Sequence, residues 1–453
     1  MTSRARIRPL VSILLLAALA APVAAADNAA VPAAVSPMAM DGQVPREPWM
    51  AGAAAGPALW TVGDVTAAAL ENHPLILQAG ADAAAAAARK GQAQSGWYPA
   101  VNLSTGYSKA RSYSTLSGRS TSSPSEFARG DLSWTLSDFG RTGGAVERAD
   151  ANAAASRENA ATVREDVVFA AKVGFYDVLR AGKTLEFRRE NLRQRESLHR
   201  QAQAFFDAGV KAKIDVVRAE ANLYDARAQV SQAENDLRVA RITLLQRMGV
   251  DGPADFGLSG QLPEQELPGT LPDWIAEAER NRPELRALIE KKRAAGGSLR
   301  SASAGYLPSL VGAAGYGYAS EDPPLEQNYS ASITLSWPLF SGFQTREQVK
   351  EAQATVSSAG HEYAEARRRV RLQVESSAYG VREAQERTAA RRKEREASEE
   401  NLRLATARYE VGAGDIIEMV DAQAQMVRSD TESVNAAFDH AVSVASLLRA
   451  MGR

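Results

Sequence analysis

Two segments of the chain, 203 positions apart, carry the same residue pattern. Residues 206–220 read FDAGVKAKIDVVRAE and residues 409–423 read YEVGAGDIIEMVDAQ, so that aromatic, glycine, isoleucine and acidic positions match in order. Further pairs recur at offsets of 203 or 209: NHP with NRP, GWYP with GYLP, LSWTL with LSWPL, and MG with MG. A duplication that covers nearly the whole chain predicts that both halves fold into the same structural unit.

Each half contains two short runs in which apolar and polar residues alternate. In the second half, Tyr329, Ile333 and Trp337 fall on one side of such a run, and Ser332 and Ser336 fall on the other. A period of two over about ten residues predicts a strand with one apolar face. The predicted strands are about residues 98–110, 127–138, 307–319 and 328–340, with a Ser/Thr/Gly-rich loop at 112–125.

Long helical segments follow each predicted strand pair. No proline occurs over residues 140–208 or 342–411, and helices of this length would extend for roughly 100 Å at about 1.5 Å per residue. Return helices are predicted at 213–248 and 415–450, where seam residues recur in heptad steps of three and four. An alanine-rich helix at 64–95 leads into the first strands. We therefore expect the strands at one end, the duplicated turns at the other, and two shorter helices end to end beside each long one.

Four strands per chain are too few to close a membrane-spanning sheet. Transmembrane barrels begin at about eight strands, and lipid leaves no water to satisfy the backbone groups of an open edge. If the apolar strand faces meet lipid, copies of the chain must therefore pool their strands. Two chains would give eight strands and three would give twelve, and the count alone does not choose. The alternative is a small sheet that packs on a soluble helical bundle.

The first residues predict export. Arg4, Arg6 and Arg8 precede an apolar run that ends in small residues, the layout of a secretory signal cleaved after Ala26. A membrane anchor is the alternative interpretation of this run. Because the chain has no cysteine, disulfides, thiolate metal sites and an N-terminal lipidated cysteine are excluded. The predicted division is 1–26 signal peptide, 27–58 flexible segment, 59–249 first repeat, 250–272 linker and 273–453 second repeat.

Charge and motif content argue against nucleic-acid binding and against catalysis. The net charge of −1 offers no basic face for a nucleic acid. The four histidines have no metal-ligand spacing, and the GKT at 182–184 lacks the upstream glycine of a phosphate-binding loop. We therefore expect neither an enzyme nor a cofactor or metal site.

The order of predicted elements, together with the duplicated motifs, resembles the TolC family of outer-membrane channel proteins over about residues 60–453. GWYP and GYLP precede the first strand of each pair, LSWTLSDFGR and LSWPLFSGF enter the long helices, and the two matching turns follow. The resemblance implies a mainly α-helical chain with four strands. It further implies a homotrimer that forms a twelve-stranded transmembrane β-barrel and a long periplasmic α-helical tunnel.

The same resemblance implies a function and partners. The protein would be a passive exit duct in the outer membrane of a Gram-negative bacterium, in contact with outer-membrane lipid. It would serve an inner-membrane ABC or proton-driven transporter through a periplasmic adaptor protein. Type I protein secretion and small-molecule efflux both remain open, and the absent lipidated cysteine favours channels that serve secretion as well as efflux. The alternative function is a periplasmic or surface coiled-coil scaffold or adhesin without a pore.

The resemblance also assigns roles to residues of the duplicated turns, where the tunnel would be narrowest. Tyr409 and Asp215 would belong to a network that holds the helix tips closed, whereas Glu418 and Asp421 would narrow the entrance. Rings of carboxylates raise the local concentration of cations and repel anions. The alternative for these acids is a solvated helix start, where Asp and Glu in the first turn favour the helix dipole. Asp415 is expected only to cap its helix.

One departure from the family pattern concerns a basic residue of the closing network. The turn glycines are Gly209, Gly412 and Gly414, and Gly414 stands where the resemblance implies a basic side chain. We hypothesise that Lys211 and Lys213 on the neighbouring turn supply that charge instead.

Overall fold

The computed structural model describes residues 59–114, 118–260, 268–320, 326–411 and 413–453. The predicted signal peptide, the predicted flexible segment at 27–58 and the turn residue Gly412 lie outside these ranges. Among the described residues, none of the helices combines the length and the apolar character that a membrane span requires.

Helices make up most of the described chain. Their bounds are α1 Val62–Asn72, α2 Pro74–Gln94, α3 Arg141–Asp207, α4 Lys213–Met248, α5 Leu271–Asn281, α6 Pro283–Ser303, α7 Gln344–Glu410 and α8 Ile416–Met451. The long helices α3 and α7 each contain 67 residues, and the return helices α4 and α8 each contain 36. The two repeats therefore have matched dimensions, and each of these four helices begins and ends within two residues of the predicted positions.

Strands interrupt the helical segments along the sequence and form one four-stranded antiparallel sheet. Its strands are β2 Ala100–Ser114, β3 Arg119–Ser137, β5 Ser309–Ser320 and β6 Glu326–Ser336, in the spatial order β2–β3–β5–β6. Each repeat contributes one hairpin, and β3 joins β5 across the repeats. Two short strands, β1 Leu59–Trp60 and β4 Gly257–Leu258, pair in parallel and tie the predicted linker to the start of the first repeat.

The strand bounds correct two expectations. Most of the predicted loop at 112–125 is strand, because β2 continues to Ser114 and β3 begins at Arg119. Serine and threonine pair well across strands, so a Ser/Thr-rich composition did not distinguish a loop from a hairpin end. The last strand ends at Ser336 rather than near 340, since Pro338 cannot donate a backbone hydrogen bond to a neighbouring strand.

The expectation of one unbroken helix over 64–95 is wrong. The chain forms α1 and α2 instead, separated at His73, whose backbone is extended. Pro74 is the first residue of α2, and a proline both disfavours helical backbone at the preceding residue and suits the first helical position. The second repeat breaks in the same way at Arg282–Pro283, between α5 and α6.

These helix breaks explain two of the duplicated motifs. Each return helix ends in Met-Gly, with the glycine in the left-handed conformation: φ is +68° at Gly249 and +80° at Gly452. A Cβ at Gly249 would lie 2.6 Å from the Cα of His73, and one at Gly452 would lie 3.3 Å from the backbone N of Arg282. The end of each return helix thus abuts the Asn-X-Pro break of its own repeat, and only glycine fits both the turn and the contact.

The two repeats also pack directly on each other. A Cβ at Gly144 of α3 would lie 2.5 Å from the backbone N of Ser301, and one at Gly297 of α6 would lie 2.6 Å from the backbone N of Arg148. Two glycines therefore let the backbones of α3 and α6 approach closely. Ion pairs flank this contact, among them Arg300 to Glu147 at 2.8 Å. As a result, the first half of α3 lies between α2 of its own repeat and α6 of the other.

The main apolar cluster forms where the helix breaks and the return-helix ends meet. Val65, Phe175, Leu244 and Met248 are almost fully buried there, and partly buried residues around Phe256 of the linker cover them. A corresponding cluster in the second repeat contains Leu447. These two clusters therefore hold the helices together in the middle of their length. From there the long helices extend towards the sheet in one direction and towards the turns in the other.

Tryptophans fix the sheet to the helices. The indole Nε1–H of Trp134 donates to the carbonyl of Trp97 at 3.0 Å, and that of Trp337 donates to the carbonyl of Tyr306 at 3.1 Å. Both acceptors lie in the short 3-10 turns that precede the first strand of each hairpin. The duplicated GWYP/GYLP and LSW motifs therefore bind each other within each repeat.

A substitution at the return-helix end should test the joint. Gly249→Ala should lower the free energy of unfolding by about 2 kcal/mol or more, because alanine is strained at positive φ and its Cβ would meet the backbone of His73. Gly182→Ala is the matched control, since nothing lies within 4 Å of its added Cβ in α3, and it should be neutral or stabilising. Thermal unfolding followed by circular dichroism measures both, and equal midpoints would contradict the joint.

Candidate functional site at the helix tips

The first turn joins α3 to α4 through a glycine. Gly209 has φ +68°, and nothing lies within 4 Å of a Cβ added to it. The N–H of Val210 donates to the carbonyl of Phe205 at 2.9 Å, which satisfies a carbonyl at the end of α3. This glycine is therefore required for the backbone conformation and not for close packing.

The second turn joins α7 to α8. The N–H groups of Ala413 and Gly414 both donate to the carbonyl of Arg408 at 2.9 Å. A Cβ at Gly414 would lie 3.1 Å from the carbonyl carbon and the Cβ of Arg408 and from the backbone N of Tyr409. A basic side chain at position 414 would have to displace the end of α7, which gives a packing reason for the glycine found there.

Tyr409 is the centre of a small apolar cluster at the tips. Its side chain is 1% exposed and packs with Leu198, Ile416 and Met419, while Phe205 contributes a ring at 6.1 Å in an edge-to-face arrangement. Leu198 and Phe205 belong to α3, whereas Ile416 and Met419 belong to α8. We call these five residues the tip cluster. The tip cluster joins the first repeat to the second, so it holds the two turns in a fixed relation.

The two lysines differ in their surroundings. The Nζ of Lys211 lies 5.5 Å from the centre of the Tyr409 ring, within the range of a cation–π contact. Lys211 is half-buried, whereas Lys213 is exposed at the first position of α4. The structure thus brings Lys211, but not Lys213, onto the tyrosine of the other turn.

The Tyr409 hydroxyl is buried and has no hydrogen-bond partner within the described part of the chain. Burial, and then the negative charges of Asp215 and Asp415, raise the pKa of this hydroxyl above its ordinary value. The hydroxyl therefore stays neutral, and Asp215 acts on it through its charge and not through a hydrogen bond in the chain. The ring of Tyr409, more than its oxygen, connects the two turns.

The acids of the second turn have different environments. Glu418 accepts a hydrogen bond from Arg408 Nη1 at 2.9 Å, and both side chains are about half exposed. Asp421 is exposed one turn further along α8. Asp415 accepts from the N–H of Ile417 at 3.4 Å and caps α8. Glu418 is thus paired with Arg408, whereas Asp421 faces solvent.

A buried polar layer lies further from the turns, between α3 and the return helix α8. Asn191, Arg195 and Gln423 are 6–7% exposed, and each retains a buried polar atom without a partner in the described structure. Burial lowers the pKa of the Arg195 guanidinium, and Asp225 opposes this effect. An unsatisfied buried polar group costs about 1–3 kcal/mol, so the contact between α3 and α8 is weaker here than at the tip cluster.

Comparison with known proteins decides the family. The model of the outer membrane efflux protein family matches residues 65–250 and 274–453. The chain belongs to the outer membrane efflux protein family. The two matched segments correspond to the two repeats, and the gap between them falls in the predicted linker.

Several outer-membrane proteins are similar to this chain over most of their length. Protein CyaE of Bordetella pertussis is 28% identical over 396 residues, which cover 85% of this chain and 82% of CyaE. The outer membrane protein TolC of Escherichia coli is 23% identical over 403 residues, covering 84% and 80%. The crystal structure of the Campylobacter jejuni CmeC outer membrane channel superposes with a TM-score of 0.79 at 16% identity, covering 86% of this chain and 85% of CmeC.

Membership in the outer membrane efflux protein family confirms the predicted relation to TolC, the outer-membrane location and the function of an exit duct. Channels of this family work with inner-membrane transporters and adaptors, and the family consists of channel proteins and not of enzymes. The alternative of a pore-less scaffold or adhesin is not favoured.

The sequence predicted Tyr409, Asp215 and the two lysines Lys211 and Lys213 near one another but missed other contributors. It did not identify the pairing of Arg408 with Glu418, although Arg408 precedes Tyr409 directly. The buried polar atoms of Arg195 and Gln423 carried no local signal, because both residues are polar members of otherwise ordinary helix faces.

The unequal environments of the lysines yield a first prediction for the tips. Lys211→Ala should favour the open state by about two- to fivefold, since a cation–π contact at a half-exposed site contributes about 0.5–1 kcal/mol. Lys213→Ala is the matched control, with the same charge change, and should leave conductance near the wild-type value. Single-channel conductance in planar bilayers measures both, and equal responses of the two variants would contradict a specific role for Lys211.

The buried hydroxyl yields a second prediction. Tyr409→Phe should leave closure unchanged or slightly stronger, because it removes an unpartnered polar group and keeps the ring. Tyr409→Ala should open the tips, because loss of a buried aromatic ring costs about 3–5 kcal/mol of packing. Uptake of a large antibiotic by cells that carry each variant measures leakage. Leakage from Tyr409→Phe that equals that of Tyr409→Ala would show that the hydroxyl makes the closing contact.

Proposed function

We propose that three copies of this chain assemble into one channel, in which twelve strands close a β-barrel in the outer membrane and the helices form a periplasmic tunnel. The observation that carries the proposal is the open four-stranded sheet: β2 and β6 are its edges, and neither has a second neighbour in the described structure. Closure by other copies would satisfy the backbone groups of both edges.

Exposed apolar side chains on the sheet support the barrel. Leu103 is 85% exposed on β2, and Ile333 and Leu335 are 73% and 62% exposed on β6. These residues share one face, because the register places them on alternate positions that point away from the serine-rich side. A contiguous exposed apolar face of this kind suits contact with lipid.

The long helix of the second repeat supports association of copies. The α7 helix has few buried residues along its 67 positions, and Leu372 and Tyr379 are about two-thirds exposed seven residues apart on one side. The corresponding helix of the first repeat, α3, lies between α2 and α6. In a ring of copies, α2 of a neighbouring chain would take the place beside α7 that α6 takes beside α3 within the chain.

The helix tips would form the periplasmic entrance. Closure would rest on the tip cluster and on Lys211, while Asp421, and Glu418 once released from Arg408, would place carboxylates around the opening. The tips also expose apolar side chains, among them Val210 at 66% and Val411 at 79%. We infer that these side chains contact the periplasmic adaptor that connects the channel to an ABC or proton-driven transporter.

The barrel proposal is tested by two neighbouring substitutions on β6. Ile333→Asp would place a charge on the face assigned to lipid. A charge there costs about 2 kcal/mol per chain near the bilayer midplane, so the substitution should reduce trimer yield. Ser332→Asp is the matched control on the opposite face, where water would solvate the carboxylate, and should assemble normally.

The measurement uses the full chain expressed in a Gram-negative host and extracted from outer membranes with detergent. Particle mass gives the number of chains, and planar bilayers report conduction. Wild-type protein should be a conducting trimer, and Ile333→Asp should give a lower yield of it than Ser332→Asp. A water-soluble monomer, indifferent to both substitutions, would overturn the proposal.

A further inference from the structure

The face of the sheet opposite the apolar one carries charged residues in mid-strand. The strand register sorts its residues into levels that run across all four strands. Two adjacent levels are Asn102–Asp131–Gly315–Ser330 and Ser104–Arg129–Gly317–Asn328. Apart from Arg129 and Asp131, these eight positions hold only glycine, serine and asparagine. An arginine and an aspartate therefore stand together on a surface of small residues.

Arg129 and Asp131 bind each other along the strand. The Nε of Arg129 donates to Asp131 Oδ1 at 2.6 Å, and Arg129 Nη2 donates to Ser330 Oγ at 3.3 Å. The guanidinium thus extends from β3 across β5 to β6. Both charged side chains keep somewhat less than half of their surface exposed, so the pair lies against the sheet and still faces the open side.

Glycine makes room for this arrangement. A Cβ at Gly315 would lie 2.5 Å from Arg129 Nη2 and 2.9 Å from Asp131 Oδ1, and one at Gly317 would lie 2.8 Å from the Cα of Arg129. Any side chain at position 315 would therefore lift the guanidinium from the sheet. The two glycines of β5 form the floor on which the charged pair lies flat.

We propose that Arg129 and Asp131 set the ion selectivity of the β-barrel section, as a ring of charge pairs that balance each other. This inference rests on the proposed trimer, in which the polar face lines the passage and the pair occurs three times. With strands about 4.8 Å apart and tilted by about 40°, a twelve-stranded barrel has a radius of roughly 12 Å. Each charge then lies about 10 Å from the axis, close to one Debye length at 0.1 M salt.

Balance is the functional property of the ring. While both charges are present, the field of the three arginines cancels that of the three aspartates along the axis, so the pair itself adds no preference for cations or anions. Discrimination is then left to other charges, such as the acids at the helix tips. Glu326, two positions beyond Asn328 on the same face, adds a constant negative charge near the outer end that does not depend on the pair.

Removal of one charge of the pair should leave the other charge uncompensated. Arg129→Gln leaves three carboxylates and should raise the ratio of cation to anion permeability about fivefold at 0.1 M salt, with a larger change at 0.01 M. Asp131→Asn should lower the ratio by a similar factor, and the double variant should return it towards the wild-type value. Lys109→Gln is the control, because it removes a positive charge from β2 on the opposite, apolar face. Ser330→Asp adds a carboxylate at the same level without removing the pair, and should shift the ratio as Arg129→Gln does.

The experiment measures the reversal potential of single trimers in planar bilayers under a potassium chloride gradient. Opposite shifts for Arg129→Gln and Asp131→Asn, with no shift for Lys109→Gln, would establish the ring. If wild type conducts but these variants keep its reversal potential, or both shift it the same way, the charge ring is wrong while the channel stands. If wild-type protein does not conduct at all, the proposed channel itself is wrong.

Discussion

The backbone groups at the two edges of the sheet are the constraint on which the rest of the architecture depends. Within one chain, β2 and β6 each have a single neighbour, so one side of each strand offers unpaired N–H and C=O groups. In water these groups would be solvated, whereas in lipid each would cost several kcal/mol. The same sheet exposes an apolar face, and in the proposed assembly strands from other chains pair with both edges. The helical part would then have to pack as a ring below the proposed barrel.

In the proposed ring, the duplication would provide two similar units per chain, but the two repeats do not have equal surroundings. The first long helix, α3, has neighbours on both sides from its own chain, because Gly144 and Gly297 bring α6 into close contact with it. The second, α7, leaves exposed the side where a neighbouring copy would lie. An alternating ring of first and second repeats needs one junction within each chain and one junction between neighbouring chains. The tip cluster is a further junction between the two repeats, at the turn end, where Phe205 of one repeat packs on Tyr409 of the other.

Much of the fold followed from residue patterns, because the long helices have strong local signals at both ends. Gly140 and Gly209 border α3, and α4 ends at Met248, directly before Gly249. The break at Pro74 is masked by the alanine-rich composition on both sides, which favours helix, and the contact with Gly249 shows what packs against the break. The hairpin end was also misjudged, because serine and threonine are compatible with loop and strand alike.

The candidate site was less accessible from sequence, for a physical reason. Lys211 and Tyr409 could be matched through the duplication, which brings the two turns to the same end of the molecule. The ion pair of Glu418 with Arg408, by contrast, spans the turn, and the contact of Arg129 with Asp131 lies on glycines in a strand of the other repeat. Interactions of this kind depend on neighbours elsewhere in the sequence, and no local pattern predicts them.

The joints at Gly249 and Gly452 have a consequence for how such a channel can change its reach. Each return helix is fixed at one end by a helix break and at the other by a turn, and the paired helices of the two repeats match in length. A residue added to one of the four helices would rotate every side chain beyond it by about 100° around the axis and misalign the seam. The periplasmic span can therefore grow or shrink without misaligning the seam only in steps that keep the helical phase, such as whole heptads, in all four helices together, which makes its length a discrete quantity.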